Sequence, residues 1–191
     1  MKFVRGLLYA LACLAVLLLA AGLFLPKSAH VERSVVTTAT AETVYGIVNG
    51  FARFNEWSPW VDEDPATKYT FSGPPTGVGA KMSWTSDKPE VGAGSQEITA
   101  VDPGRSVTTR LDFGDQGQAS SRIDLAGEAG GTRITWSFDT SFEDDYFGRY
   151  FGLLFDRLIG ADYEEGLARL KALAEAAPAG PATAVPASPQ P

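Results

Sequence analysis

Apolar residues recur at every second position in a series of short segments along the chain. In the clearest one, residues 132–138, threonine, isoleucine, tryptophan and phenylalanine alternate with arginine, threonine and serine. This period is typical of strands with one apolar face and one solvated face. Similar segments occupy residues 30–37, 68–72, 80–84, 96–100, 107–113 and 119–125. The pattern predicts an antiparallel sheet of about seven strands.

The period becomes helical over residues 146–176. An aromatic-rich stripe comes first and consists of Phe147, Tyr150, Phe151, Leu154 and Leu158. After an offset, a leucine-rich stripe continues it with Tyr163, Leu167, Leu170 and Leu173. The spacing predicts one long amphipathic helix across the sheet. We expect the leucine-rich half to clamp the sheet and a cavity to lie beside the aromatic-rich half. Gly160 is the expected break, since glycine inside a helix costs about 1 kcal/mol relative to alanine.

Two short helical segments follow the first strand. Thr40 can cap a helix over residues 41–49, and Gly50 can end it. The second segment, residues 51–57, stops before Pro59, because proline disfavours helix in the residue before it. We expect this pair to close one end of the sheet.

The N-terminal segment is apolar enough to cross a membrane. Residues 6–25 contain no charge and would rise about 30 Å as a helix. The first interpretation is a transmembrane anchor; a cleaved secretory signal and a lipoprotein attached at Cys13 are the alternatives. Lys2 and Arg5 favour a cytoplasmic N-terminus, which predicts a single-pass inner-membrane protein with a periplasmic domain.

These patterns divide the chain into three parts. Residues 1–27 form the predicted anchor, residues 31–176 the folded domain, and residues 177–191 a disordered tail rich in proline and alanine. With 45% apolar and 11% aromatic residues, the 191-residue chain can bury one core.

Charge and rare residues narrow the possible chemistry. The formal net charge is −7 and no basic cluster is present, which argues against nucleic-acid binding. The single Cys and the single His, His30, exclude a disulfide within the chain and a Cys/His zinc site. A conventional Ser-His-Asp triad would need His30 in a pocket. No cofactor or metal is expected.

Several polar groups have a structural and a functional interpretation. The acidic residues 143–145 favour a helix start over a calcium site, and residues 62–64 favour a surface loop over a general acid or base. Inward hydroxyls are expected to bond the backbone or meet a ligand, and they are Thr109, Ser121 and Thr132. Solvated cross-strand ion pairs are expected on the opposite face, where Arg110, Arg122 and Arg133 are matched by Asp112, Asp124 and Asp139 on the same strands.

The order of elements and several motifs resemble a known superfamily. The segments FNEWSPWVDEDP, SGPPTGVGAKMSW and GGTRITWSF are similar to bacterial START-like (SRPBCC) proteins of the polyketide cyclase/dehydrase-like or lipid-transport-like group. The resemblance implies an α+β helix-grip fold, in which a curved antiparallel sheet wraps around the C-terminal helix and leaves a cavity between them. It transfers no catalytic residue to this chain.

Large side chains expected to face inward are the candidates for the cavity wall. They are Trp57, Trp60, Tyr69, Met82, Trp84, Phe113, Trp136, Phe138, Tyr150, Phe151, Leu154 and Phe155. A place in the hydrophobic core would also explain each of these residues, because burying a large aromatic side chain contributes about 2 to 3 kcal/mol to stability.

Three functions stay open at this point. The first is a membrane-tethered, non-enzymatic module that binds an apolar small molecule or lipid. The second is a cyclase, dehydrase or hydrolase that uses a tyrosine or a buried carboxylate. The third is an envelope protein-interaction module with an exposed patch around Trp57 and Trp60.

Overall fold

A computed structural model describes residues 2–143 and 145–177 of the chain. The first element is the apolar helix α1 (Lys2–Phe24), most of which is exposed. By length and composition it can cross a membrane. The predicted tail lies almost wholly in residues 178–191, outside the described residues, and so does Asp144.

Seven antiparallel strands form one curved sheet, which confirms the predicted α+β fold. They are β1 (Ser28–Thr37), β2 (Lys68–Ser72), β3 (Lys81–Thr85), β4 (Ala93–Asp102), β5 (Ser106–Asp112), β6 (Gln118–Glu128) and β7 (Gly131–Ser141). Their order across the sheet is β1-β7-β6-β5-β4-β3-β2, so β1 closes the edge beside the last strand. Consecutive strands from β2 to β7 are therefore neighbours, as hairpin connections dictate.

The segment after β1 contains one α-helix rather than two. Helix α2 (Ala41–Val48) is capped by the Thr40 side chain, which accepts a hydrogen bond from the Thr43 amide. The predicted second helical segment, residues 51–57, contains only the short 3-10 helix Phe54–Glu56, and another 3-10 helix follows at Pro59–Asp62. Proline lacks an amide hydrogen and is tolerated only in a first turn, so the chain starts a new turn there.

The C-terminal helix is divided into α3 (Gly148–Gly152) and α4 (Phe155–Ala176). One long helix with a break at Gly160 was expected. The break lies instead at residues 153–154, where the chain turns and Gly152 packs closely against the ring of Phe142. The Asp145 carboxylate accepts a hydrogen bond from the Gly148 amide at the start of α3, as the helix-start interpretation of residues 143–145 predicts.

The expected break at Gly160 is wrong, because this glycine lies inside α4 and directly beneath the Arg33 guanidinium. Arg33 on β1 donates to Asp156 and Glu164, both at 2.8 Å. A side chain at position 160 would displace the guanidinium, so the glycine allows close packing of α4 on β1.

The leucine-rich half of the C-terminal region covers the sheet, as predicted. Tyr163, Leu167 and Leu170 are buried against β1 and β7, and Gly166 lets Trp136 approach α4. The aromatic-rich half does not cover the sheet. Its stripe residues Phe147, Phe151, Leu154 and Leu158 are exposed.

The outer face of the sheet carries exposed ion pairs. Arg122 pairs with Asp124 at 2.7 Å, within β6 and not across strands. The other two arginines form cross-strand pairs as expected, but with glutamates: Arg110 contacts Glu97, its neighbour on β4, at 3.1 Å, and Arg133 contacts Glu128 of β6 at 2.7 Å. Such exposed pairs contribute under about 1 kcal/mol each.

Candidate functional site

A cavity of ≈ 520 Å³ lies between the inner face of the sheet and the first turns of α4. It exists because α4 crosses the sheet along β1 and β7 and leaves the inner face of β2 to β5 uncovered. The 3-10 turns after α2 close one side through Phe54, Ser58 and Trp60. A volume of this size is typical of small-molecule sites, which span about 300 to 1,000 Å³.

Eight of the twelve candidate residues line this cavity. They are Trp60, Tyr69, Met82, Trp84, Phe113, Trp136, Phe138 and Phe155. Six of the eight belong to strands or directly follow one, where the period of two determines which side chains face inward.

Trp57 lies next to the cavity but outside its wall. Its side chain is 2% exposed and its ring meets Trp136 edge-on at 5.1 Å between centroids. It borders a second, smaller cavity of ≈ 30 Å³, which it shares with Thr109. Among the described residues its indole N–H has no hydrogen-bond partner.

Tyr150 and Phe151 of α3, and Leu154 in the turn before α4, also lie outside the wall. The Tyr150 hydroxyl donates to the carbonyl oxygen of Leu18 in α1. Phe151 is 63% exposed and Leu154 is largely exposed. The cavity therefore lies beside the first turns of α4 instead of the aromatic-rich half.

An aromatic cluster on α4, β7 and the 3-10 turns forms the most ordered part of the wall. Trp136 stacks on Tyr163 with centroids 3.9 Å apart, and Trp60 meets Trp136 edge-on at 5.9 Å. The Trp136 indole donates to the Ser121 hydroxyl at 2.8 Å. Burial raises the pKa of the Tyr163 hydroxyl, and contact with Ser121 opposes this only in part. This side of the cavity is mainly aromatic, and the Trp136 indole N–H already has a hydrogen-bond partner within the wall.

The inward hydroxyls have different partners. Thr132 donates to the backbone carbonyl oxygen of Ala39 at 2.8 Å, as the backbone interpretation predicts. Ser121 instead lines the cavity and bonds a side chain, Trp136.

Gln96 is the polar residue that sequence reasoning did not select. It lies on β4 between Met82 of β3 and Leu111 of β5, lines the cavity and is 7% exposed. No hydrogen bond joins its side-chain amide to any other residue in the described part of the chain. The signal was present in the sequence, because a glutamine occupies an inward position of an alternating strand.

Three carboxylates also line the cavity: Glu63, Glu90 and Asp162. Burial raises the pKa of the Asp162 carboxyl, an interaction with the Trp60 side chain opposes this, and the nearby charge of Glu63 adds to it. Burial likewise raises the pKa of the Tyr69 hydroxyl.

The other two acidic residues of the 62–64 loop have structural roles. Asp64 accepts hydrogen bonds from the Ser86 hydroxyl at 2.5 Å and the Ala66 amide at 3.0 Å, and these bonds lower its pKa. Asp62 pairs with Arg169 on α4 at 2.6 Å. Within residues 2–143 and 145–177, no three His, Cys, Asp or Glu side chains converge on a possible metal site.

Comparisons with known proteins agree with this geometry. Residues 28–175 match the family model described as "Polyketide cyclase / dehydrase and lipid transport". A comparison with curated proteins found no match.

Three solved structures illustrate the shared fold. Protein SA2116 from Staphylococcus aureus has a TM-score of 0.59 at 11% identity, over 78% of this chain and 94% of that one. The di-domain ARO/CYC BexL from the BE-7585A biosynthetic pathway has a TM-score of 0.56 at 16% identity, over 80% of this chain and 52% of its own. Protein CV1439 from Chromobacterium violaceum has a TM-score of 0.50 at 19% identity, over 78% and 98%. At these identities the likeness establishes the fold alone.

Proposed function

The chain belongs to the polyketide cyclase/dehydrase and lipid-transport family, and from this premise we propose that it is a membrane-tethered module that binds an apolar small molecule or lipid in the cavity. The observation that carries the proposal is the ≈ 520 Å³ cavity with a mainly aromatic and aliphatic wall. Burying an apolar ligand there removes its surface and that of the wall from water, at about 25 cal/mol per Å². Helix α1 would hold the domain at the periplasmic side of the inner membrane.

The polar groups of the wall indicate the class of ligand. Glu63, Glu90 and Asp162 disfavour an anionic group in the cavity, because like charges repel and desolvation is costly. The Gln96 amide can both donate and accept, and it has no side-chain hydrogen-bond partner among the described residues, so it is free to bond a polar group of the ligand. A neutral ligand with one hydroxyl or carbonyl group would satisfy Gln96 and bury its apolar part against the aromatic wall.

Tryptophan fluorescence provides a direct test of binding. All four tryptophans, which include Trp57, lie on the cavity wall or directly against it. A dibrominated stearyl alcohol quenches tryptophan on contact, so its addition to the detergent-solubilised full chain should give strong, saturable quenching. Quenching that rises linearly with the alcohol and never saturates would contradict a binding site.

Replacing Gln96 by Leu should separate the polar contact from the apolar one. We expect affinity for the dibrominated alcohol to fall about tenfold, as the loss of one hydrogen bond of about 1.4 kcal/mol implies. Affinity for the matched dibrominated octadecane should not fall, because it has no hydroxyl to lose. Equal losses for the two ligands would mean that Gln96 does not contact the ligand's polar group.

An enzyme is the second candidate, and Asp162 is the observation that favours it. A partly buried carboxyl with a raised pKa beside an apolar cavity is the arrangement used for general acids. Chemical conversion of a bound ligand during incubation with the wild-type chain, followed by mass spectrometry, would favour this function over simple binding.

The interaction-module hypothesis loses its main support. It requires an exposed patch at Trp57 and Trp60, whereas Trp57 is buried and Trp60 packs against Trp136 and Tyr163.

A further inference from the structure

We propose that α3 and the turn after it form a second membrane contact beside α1, which holds the cavity against the bilayer surface. This inference rests on the proposed membrane anchor and adds the position of the domain relative to the lipid. Its contact residues, called the α3 surface below, are Tyr146, Phe147, Phe151, Leu153, Leu154 and Leu158.

The α3 surface is a cluster of large apolar side chains that the described part of the chain leaves uncovered. Each of its six residues is exposed, from 41% at Tyr146 to 69% at Phe147. Single exposed apolar residues are ordinary on soluble domains, but a contiguous cluster usually marks a contact with a partner or a membrane. Exposed aromatic and leucine side chains close together in a short segment are typical of contacts with the lipid interface.

The α3 surface is continuous with the end of α1. Arg149, only 3% exposed, donates to the Gly22 carbonyl at 3.0 Å and also to the Phe142 carbonyl at 3.2 Å. Its charge therefore complements the partial negative charge at the end of α1. Gly22 lies against Tyr146 and Tyr150. These contacts fix α3 alongside the last turns of α1.

The depth of these contacts identifies the occupant as lipid. Tyr150 bonds the carbonyl of Leu18, which lies about 9 Å before the end of α1 at Phe24, given a rise of 1.5 Å per residue. If α1 spans the bilayer, α3 lies level with its last two turns, where hydrocarbon meets headgroups. A water-soluble protein partner cannot occupy that depth. Because the chain is acidic overall, the contact should depend on apolar burial and not on anionic lipid.

This placement brings the cavity close to the membrane. Phe142 packs against Gly148 and Gly152 of α3 on one side, and its ring meets Phe155 at 5.7 Å on the other. Both phenylalanines line the cavity. One aromatic ring therefore separates the α3 surface from the cavity wall, which gives a bilayer-soluble ligand a short path between the two.

Spin labels on the full chain in phosphatidylcholine vesicles test the inference. With Cys13 replaced by Ser, single cysteines are placed at Phe151 on the α3 surface, at Leu17 in α1, and at Thr108 on the outer face of the sheet. We expect the Phe151 label to collide with oxygen and to lose collisions with a water-soluble nickel chelate, by about an order of magnitude relative to Thr108. Adding anionic lipid should not change this ratio.

The other outcomes separate the two claims. If the Leu17 label is in the bilayer and the Phe151 label collides with the nickel chelate as often as Thr108, the α3 contact is wrong and the anchor stands. A Phe151 label shielded from both oxygen and chelate would mean that a protein or a second copy covers the α3 surface, which also overturns the inference. A Leu17 label in water would contradict the proposed anchor itself.

Discussion

Replacing Leu111 by Trp should abolish ligand binding and leave the fold intact. Leu111 lies on β5 opposite Gln96, and its side chain forms part of the cavity wall. An indole at this position would occupy the space that the ligand needs. Because the cavity can accept the added volume, the cost to stability should stay below the 1 to 3 kcal/mol that is typical of an overpacked core. Native mass spectrometry of the chain mixed with the dibrominated stearyl alcohol measures the loss, since bromine isotopes mark the complex.

Arg110→Trp provides the matched control. This neighbouring residue points to the opposite, solvated face of β5, where it pairs with Glu97. The same substitution there adds the same indole outside the cavity and removes one exposed ion pair. Arg110→Trp should bind the alcohol like wild type, whereas Leu111→Trp should bind at least about tenfold more weakly, or 1.4 kcal/mol. Equal binding by the two variants would place the ligand outside the cavity.

Replacing Trp136 by Ala should lower the free energy of unfolding by about 3 to 5 kcal/mol, the range for large aromatic deletions from a core. Trp136 is 3% exposed and contacts three other aromatic residues: Trp57, Trp60 and Tyr163. Its indole N–H also donates a hydrogen bond to the Ser121 hydroxyl. Its removal would leave a void between β7 and α4 that the rigid helix cannot fill. Urea unfolding of the full chain in detergent, followed by circular dichroism, measures the change.

Trp136→Phe divides this effect into its parts. A phenyl ring retains the stack on Tyr163 but cannot donate to Ser121, so its cost should be clearly smaller than that of the alanine variant. A cost of less than about 1 kcal/mol for Trp136→Ala would show that the aromatic cluster is not packed as a unit.

The sheet was predictable because the period of two leaves little ambiguity. In β7, each apolar residue of the alternating segment faces inward, so Trp136 and Phe138 were correctly placed on the same side as Met82 of β3. Candidates on strands therefore reached the cavity wall. The same reasoning correctly placed Arg110, Arg122 and Arg133 on the solvated face, since residues two apart on a strand share a face.

The C-terminal region was less predictable because tertiary contacts decide its course. The turn at residues 153–154 depends on the packing of Phe142 against α3 and on the bonds from α3 to α1, which join residues more than a hundred positions apart. Gly160 was expected to break the helix, yet its cost is offset by the approach of Arg33. Neither the bonds from α3 to α1 nor the approach of Arg33 to Gly160 has a local signature in the sequence.

Gln96 was overlooked for a different reason. Candidate selection favoured large apolar side chains, and a polar residue on an inward strand position carries less weight in such a pattern. Its lack of a partner among the described residues becomes visible only once the neighbouring strands are in place.

Mass spectrometry of the chain extracted in mild detergent from its native membrane tests the central claim most directly. We expect a neutral, mainly apolar molecule bound at one per chain, and its absence from the Leu111→Trp variant prepared in the same way. A wild-type chain that carries no such molecule, or a Leu111→Trp variant that retains it, would contradict ligand binding in the cavity.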